Sequence, residues 1–378
     1  MEVVVTGIGL TTALGADAEK NWKRLLAGEG AIALQQPFLD LPPRPMALIG
    51  SGPACLEPIL SETVTAAIAD AQLHLPLPDC GVVVGSSRGH QSLWEQFAQQ
   101  RLQSSAVRIA GDRWLSSLPQ QPAVTVARQI QTQASVLSPM SACATGLWSI
   151  IQGASLITSG CCDRVIAGAV ETPITPLTLA GFDKMGALAK TGCYPFDRQR
   201  EGLVLGEGAA LVVLESRQSA QQRRAKIYGQ LLGFGATADA YHLTAPNPKP
   251  GASLAAIQAC LKRSQLQPAD IDYIHAHGTS TRINDANEAN LIQSLFSANV
   301  AVSSTKGATG HTLGASGAVG LIFSLLALRD QILPPCTGLR VADFNLNLVT
   351  QANPQSLQNL LCLSFGFGGQ NVAIAVSK

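Results

Sequence analysis

The sequence predicts an α/β protein made of a duplicated strand–turn–helix unit, and three observations predict it. Several strands are apolar on both faces, as in Val82-Val83-Val84 and Ala209-Ala210-Leu211-Val212-Val213-Leu214, the pattern of strands buried inside a sheet. These strands run into glycine- or serine-rich turns that open helices, the grammar of layered α/β domains. The tripeptide Ala144-Thr145-Gly146 is echoed by Ala308-Thr309-Gly310, each between a strand and a helix of small residues. The expected halves are residues 1–225, carrying a candidate nucleophilic cysteine, and residues 226–378, carrying two histidines and a lysine.

Composition bounds the function. The chain has 378 residues, 46% hydrophobic and 13% charged, which implies a large core. A net charge of +1 argues against nucleic-acid binding or membrane-surface binding by bulk charge, and leaves room for a small basic docking patch. The nine cysteines include no CxxC pair, and the adjacent Cys161-Cys162 has no metal-ligand spacing, so no metal site is expected. Met1-Glu2-Val3-Val4-Val5 lacks the basic and long apolar regions of a secretory signal; reduced thiols and a cytoplasmic setting are expected. Residues 312–328 form the most membrane-like run. They are rich in Gly, Ala and Ser and read as a buried helix, so no membrane span is expected.

Taken in order, Val3-Val4-Val5-Thr6-Gly7-Ile8-Gly9-Leu10 is a strand entering a glycine turn. Thr12 stands where a dinucleotide fingerprint needs its third glycine, and no acidic residue follows at the ribose distance. Residues 21–26 read as a helix and 37–58 as a proline-rich loop. Gly85-Ser86-Ser87-Arg88-Gly89 fits G-x-S-x-G and makes Ser87 a candidate hydrolase nucleophile, although such turns are common without chemistry. Residues 122–131 read as a helix and 134–139 as a buried strand that delivers Cys143 to the helix at 147–157. Strands at 164–171 and 209–214 flank a polar loop, 194–202. In the second half, 227–234, 271–274, 300–302 and 361–365 are strands, and 253–264 and 285–296 are helices.

Cys143, in Ser141-Ala142-Cys143-Ala144-Thr145-Gly146, would lie at a helix N-terminus. Free N–H groups there can lower a thiol from about 8.5 toward neutrality. The competing reading is an inert buried cysteine. His277 and the Lys306/His311 pair stand in polar turns at strand ends, whereas His74, His90, His242 and His275 lack that setting and read as structural. A cysteine with histidines can carry out acyl transfer to water, an amine or a carbanion. Neutral imidazoles can hydrogen-bond a developing enolate, and glycine-flanked amides near Phe367 can form an oxyanion hole.

The motifs together resemble the β-ketoacyl-acyl carrier protein synthases of the thiolase superfamily, over nearly the whole chain. They are Ala142-Cys143-Ala144-Thr145-Gly146, Pro195-Phe196-Asp197 with Gly206-Glu207-Gly208, His277-Gly278-Thr279-Ser280-Thr281, Lys306 with Gly310-His311, and Ser364-Phe365-Gly366-Phe367-Gly368-Gly369. The Cys-His-His set is similar to the elongating class. The resemblance implies a five-layered αβαβα thiolase-like fold of two duplicated halves, and usually a homodimer. It implies a 3-oxoacyl-carrier-protein synthase performing decarboxylative condensation with malonyl-carrier protein, in fatty acid or specialised lipid or polyketide synthesis. Cys143 would carry the acyl chain, His277 and His311 would serve decarboxylation and the enolate, and Lys306 would tune the electrostatics. The amides of Cys143 and Phe367 would hold the oxyanion, Phe367 would also be the gate, and Thr279 and Thr281 would line the phosphopantetheine tunnel. Arg200 would meet the acyl carrier protein. No free cofactor is implied, since phosphopantetheine arrives on the carrier.

Two departures stand out. Gly320 occupies a helix position where the family's discrete enzymes usually have glutamate, so Asp285 or Glu288 is expected to support Lys306 instead. Arg282 replaces the proline usual after His-Gly-Thr-Ser-Thr. The alternatives are a non-catalytic chain-length factor, which usually lacks the nucleophile, and a hydrolase using Ser87 or Cys143.

Overall fold

The computed structural model describes residues 2–103, 111–249 and 251–378. Its main sheet has 11 strands in two sets. One set runs Val3–Thr12, Gly208–Ser216, Arg164–Glu171, Cys80–Gly85, Val136–Leu137. The other runs Gly229–Ala238, Gln370–Ser377, Asn359–Gly366, Tyr273–His275, Ala301–Ser303, with the short Asn347–Leu348 beyond it. Counted in chain order within its own set, each reads 1-5-4-2-3. In both, the first two pairings are antiparallel and the next two parallel. This shared order is the duplication that the tripeptide echo signalled. The sets are joined where Val3, Val4 and Val5 pair with Leu231, Gln230 and Gly229.

The helices Thr145–Thr158 and Ser316–Asp330 lie between the two sets and share one apolar core with the strands on both sides. Residues 316–328 are buried throughout. A helix covered on every side needs no polar face, which is why this run is apolar all round. The two helices approach closely at Gly146, where a Cβ would lie 2.8 Å from the Ala318 nitrogen. Leu56–Asp70 and Gln121–Ile130 cover the outer face of the first set, with Leu60, Val64 and Val126 against Val82, Val84 and Val213. Gly251–Ser264 and Arg282–Leu295 cover the second, with Ile257 and Leu291 near Ile274 and Leu361. The result is the expected αβαβα stack.

Three local expectations are corrected. Residues 134–139 do not form a buried strand: Val136 and Leu137 alone pair, each is 38% exposed, and among the described residues no strand lies beyond them in the sheet. The proline-rich stretch contributes one arm of a hairpin, Ala33–Gln35 with Arg44–Met46, and the start of the Leu56–Asp70 helix. Gly7 and Gly9 do not form the expected glycine turn but serve packing within the strand. A Cβ at Gly9 would meet the Thr63 carbonyl at 2.2 Å, and the strand continues to Thr12.

Gly146→Val is expected to destabilise the fold by about 2–3 kcal/mol, because the crossing helices must separate. Gly181→Ala, in the Pro176–Lys184 helix with open space around it, should instead stabilise by about 0.5–1 kcal/mol. Urea unfolding midpoints of the two variants check both signs.

Candidate active site

Cys143 stands just outside the N-terminus of the Thr145–Thr158 helix, on a turn made by a rarely used backbone conformation. Ala142 has φ of 47°, the left-handed region that non-glycine residues seldom enter. Thr145 locks the turn: its hydroxyl accepts from the Ser141 N–H at 2.9 Å and donates to the Ala142 carbonyl at 2.7 Å. The opposite half of the protein completes the cradle. Ser364 Oγ donates to the Cys143 carbonyl at 3.0 Å, and Gly366 lies so close that a Cβ would be 3.1 Å from the Cys143 nitrogen. The Phe367 N–H bonds the Cys143 side chain.

The thiol does not behave as the helix terminus alone suggests. Burial pushes it up to about 11, against the pull of Lys306, the Phe367 N–H and Arg88. Desolvation outweighs the stabilising fields, so the resting nucleophile is a thiol and its reaction needs a proton acceptor.

Two imidazoles face it. One ligand-type atom from each of Cys143, His277 and His311 falls within 4.8 Å of the others. The two imidazoles meet edge to face, with centroids 5.4 Å apart and planes at 80°. His277 follows the strand Tyr273–His275, and Gly278, with φ of 41°, turns the chain immediately afterwards. Glu288 accepts the N–H groups of His277 at 2.6 Å and Gly278 at 2.7 Å, bracing that turn. His311 is fixed through its backbone: its N–H donates to the Val204 carbonyl at 2.6 Å and its carbonyl accepts from Gly206 at 3.0 Å. Lys306 donates to the His277 carbonyl and lies 3.5 Å from its Nδ1. An ammonium there leaves Nδ1 as the acceptor and places the His277 proton on Nε2. Burial and the Lys306 charge push both imidazoles well below their usual range, so both are neutral.

The supporting residues divide. Asp285 accepts from the Phe196 N–H at 2.9 Å and the Ser280 N–H at 3.2 Å, tying the Pro195-Phe196-Asp197 loop to the histidine turn. Burial pushes the Lys306 ammonium below its usual range, and Glu288 supplies the largest charge opposing that shift. Neither carboxylate hydrogen-bonds Lys306, whose bond goes to a backbone carbonyl. Arg200 is corrected outright. It is buried, pairs with Asp343 at 2.6 Å, donates to the Asp197 and Arg282 carbonyls, and stacks on Phe344, so its guanidinium is not available to a docking protein. Ser87 also falls away as a nucleophile, since its hydroxyl and N–H are both held by buried Glu171 rather than by a histidine. Residue-type reasoning missed Ser364 as the Cys143 carbonyl's partner, and it placed His275 among the structural histidines although it lies beside the lysine turn.

The three groups open into a cavity of about 300 Å³ that is also lined by Thr279, Thr281 and Phe367. The two threonine hydroxyls bond each other at 2.9 Å. The Phe367 ring rests 6.0 Å from that of Phe182, on a loop whose Gly368 and Gly369 have φ of 76° and 74°. Cys143, His277 and His311 also have the number and proximity of a zinc ligand set. The buried ammonium of Lys306 on His277 opposes a dication there.

Models of the β-ketoacyl synthase N-terminal domain and C-terminal domain match residues 56–220 and 228–340. A 3-oxoacyl-[acyl-carrier-protein] synthase 2 of Staphylococcus aureus is 32% identical, with 100% of this chain and 98% of that protein covered. A β-ketoacyl synthase from Burkholderia phymatum superposes with a TM-score of 0.92 at 28% identity, covering 100% of this chain and 99% of that one. A ketosynthase structure solved with its type II polyketide acyl carrier protein gives the same TM-score at 25% identity, with 100% and 99% covered. The matched domains span most of the sequence, and the chain belongs to the β-ketoacyl synthase family.

Proposed function

We propose that this β-ketoacyl synthase extends an acyl chain held on Cys143 by decarboxylative condensation with malonyl-carrier protein. The observation that carries the reading is the convergence of one buried thiol and two neutral imidazoles on one cavity, with an ammonium behind them. In the first step the Cys143 sulfur attacks an acyl-carrier thioester. The thiol proton passes by way of an imidazole to the departing carrier thiolate. In the second, the malonyl C–C bond breaks and carbon dioxide leaves. The electron pair becomes an enolate, stabilised by N–H donors of His277 and His311 and by the field of Lys306. The enolate carbon then attacks the Cys143 thioester. The amides of Cys143 and Phe367 hold the tetrahedral oxyanion, and its collapse releases a 3-oxoacyl-carrier product two carbons longer and expels the Cys143 thiolate, which regains its thiol proton from solvent by way of an imidazole. The thioester supplies the activation, so no free cofactor takes part.

Thr279 and Thr281 are assigned to the phosphopantetheine arm, because both line the cavity into which the thiol opens and their hydroxyls bond each other there. Phe367 is assigned as the gate, since its ring and its N–H address the same cavity from a glycine hinge. The family-model boundary between residues 220 and 228 supports a division into halves 1–225 and 226–378. A chain-length factor is disfavoured by the assembled nucleophile, and a Ser87 hydrolase by the hold of Glu171 on that serine. A fatty acid, specialised lipid or polyketide pathway suits the same chemistry.

A second copy of the chain is proposed to cover the open sheet edge. Val136 and Leu137 are each 38% exposed there and Met140 is 67% exposed, and this segment leads directly into Cys143. Leu137→Arg is expected to shift the sedimentation profile from dimer to monomer and to lower condensation with it. A profile unchanged from a wild-type dimer would remove this interface.

Cys143→Ala should abolish acyl loading and condensation. Lys306→Ala should load its acyl group but lose condensation by on the order of 10²-fold. Intact-mass analysis after mixing with acyl-carrier proteins, with and without malonyl-carrier protein, separates the two; condensation by the alanine variant at 143 would sink the mechanism. A further check uses charge. Because His277 and His311 are held well below 6.5, both stay neutral as pH falls from 8 to 6. Nitrogen-15 imidazole NMR should show no titration of either ring in that window, where an unperturbed histidine titrates at about 6.5.

A further inference from the structure

His275 ends the strand Tyr273–His275, two residues before His277. It is 2% exposed. Its Nε2 stands 3.1 Å from Thr305 Oγ1, and its Nδ1 is buried without a hydrogen-bond partner. Thr305 in turn opens the short helix Lys306–Thr309. Its carbonyl accepts the N–H groups of Ala308 at 3.0 Å and Thr309 at 3.1 Å. The imidazole therefore grips the residue that starts the lysine turn.

The other side of the ring rests on Gly320 of the central helix Ser316–Asp330. A Cβ at 320 would lie 2.5 Å from the ring's Cε1 and 2.6 Å from its Nδ1. The ring fits because residue 320 is glycine. For the same reason no side chain from that position, acidic or otherwise, reaches toward Lys306. Burial and the Lys306 charge hold His275 down to about 3, so the group filling this space is uncharged.

We propose that His275 is a positioning residue for Lys306: seated on Gly320, it anchors Thr305 and so keeps the ammonium on the His277 carbonyl without a carboxylate partner. The residue touches no reacting atom and acts through the turn. The inference rests on the reading of Lys306 given above.

The test measures steady-state condensation with acyl- and malonyl-carrier proteins for the wild type, H275A, H275Q, G320A and H275A/G320A. Acylation of Cys143 is followed by intact mass and folding by thermal midpoint. H275A is expected to lower kcat for condensation about tenfold, the scale of a small misplacement of a catalytic group. KM for malonyl-carrier protein and the acylation rate should stay within twofold of wild type. H275Q, whose amide reaches toward Thr305, should restore most of the loss. G320A should lower kcat in the wild-type background and add nothing to H275A, because the ring it collides with is gone. The proposal is overturned if H275A condenses at the wild-type rate, if kcat and acylation fall together without rescue by H275Q, or if G320A has the same effect in both backgrounds. Should H275A fail to fold, H275Q and G320A decide the matter. Near-wild-type kcat in the first and a kcat-only loss in the second support the proposal, and any other pair overturns it. K306A in the same assay separates the two readings. K306A at wild-type rate removes the role of Lys306 itself, whereas an impaired K306A beside an unaffected H275A removes this inference alone.

Discussion

The site depends on how closely two helices can cross. Thr145–Thr158 and Ser316–Asp330 lie back to back between two sheets, and each begins just after a functional residue: Cys143 before one, His311 before the other. Gly146 against Ala318 sets their separation. Ser316 Oγ, at the start of the second helix, lies 3.5 Å from the Cys143 carbonyl at the start of the first. A wider crossing would part the thiol from the imidazole. The glycines are therefore as much a part of the chemistry as the polar groups, because packing at this density transmits a displacement instead of absorbing it.

Duplication explains why the catalytic groups converge although they are far apart in sequence. The same five-strand order, twice, puts corresponding strand ends at corresponding places. The turn after the third strand of the first half carries Cys143, and the turn after its counterpart carries Lys306 and His311. His277 comes from the turn after the second strand of the second half. The intervening carboxylates then act as masonry. Glu288 and Asp285 accept backbone N–H groups on both sides of the histidine turn, and Asp197 accepts those of Gln199, Arg340 and Val341 in the adjoining loop. Buried backbone donors must find acceptors, and here ionisable side chains supply them at bends where the sheet cannot.

Much of this was legible in the sequence, for definable reasons. Apolar runs on both strand faces and the tripeptide echo marked the layered duplication, and polar turns at strand ends marked Cys143, His277, Lys306 and His311 as a set. What could not be read was environment. The helix terminus at Cys143 argues for an acidic thiol, but the cost of burial depends on what packs around it, and that wins. The apolar run 134–139 looks like core because sequence does not say which strand is last in a sheet. Arg200 looked like a surface cation, but Asp343, Phe344 and two carbonyls from distant segments enclose it. His275 carried one usable signal, its place at a strand end two residues before His277. Its seat on Gly320 is a tertiary contact.

The charge distribution suits a reaction in which negative charge moves without changing in amount as carbon dioxide leaves. Malonyl carboxylate brings one negative charge into the cavity, and decarboxylation shifts it to the enolate oxygen. Two neutral imidazoles can donate to that oxygen without first losing a proton to it, whereas imidazolium rings would be strong enough acids to protonate the enolate carbon's electron source and quench it. The positive charge is supplied one step back, by Lys306, where it acts through the field rather than by proton transfer. A carboxylate directly on that ammonium would offset its field at the enolate. With a neutral ring at 275 and no side chain at 320, the largest carboxylate influence on Lys306 comes from Glu288, whose oxygens are already committed to the His277 and Gly278 N–H groups. The ammonium's charge is thus left less compensated on the side of the cavity, where the reaction generates its oxyanion.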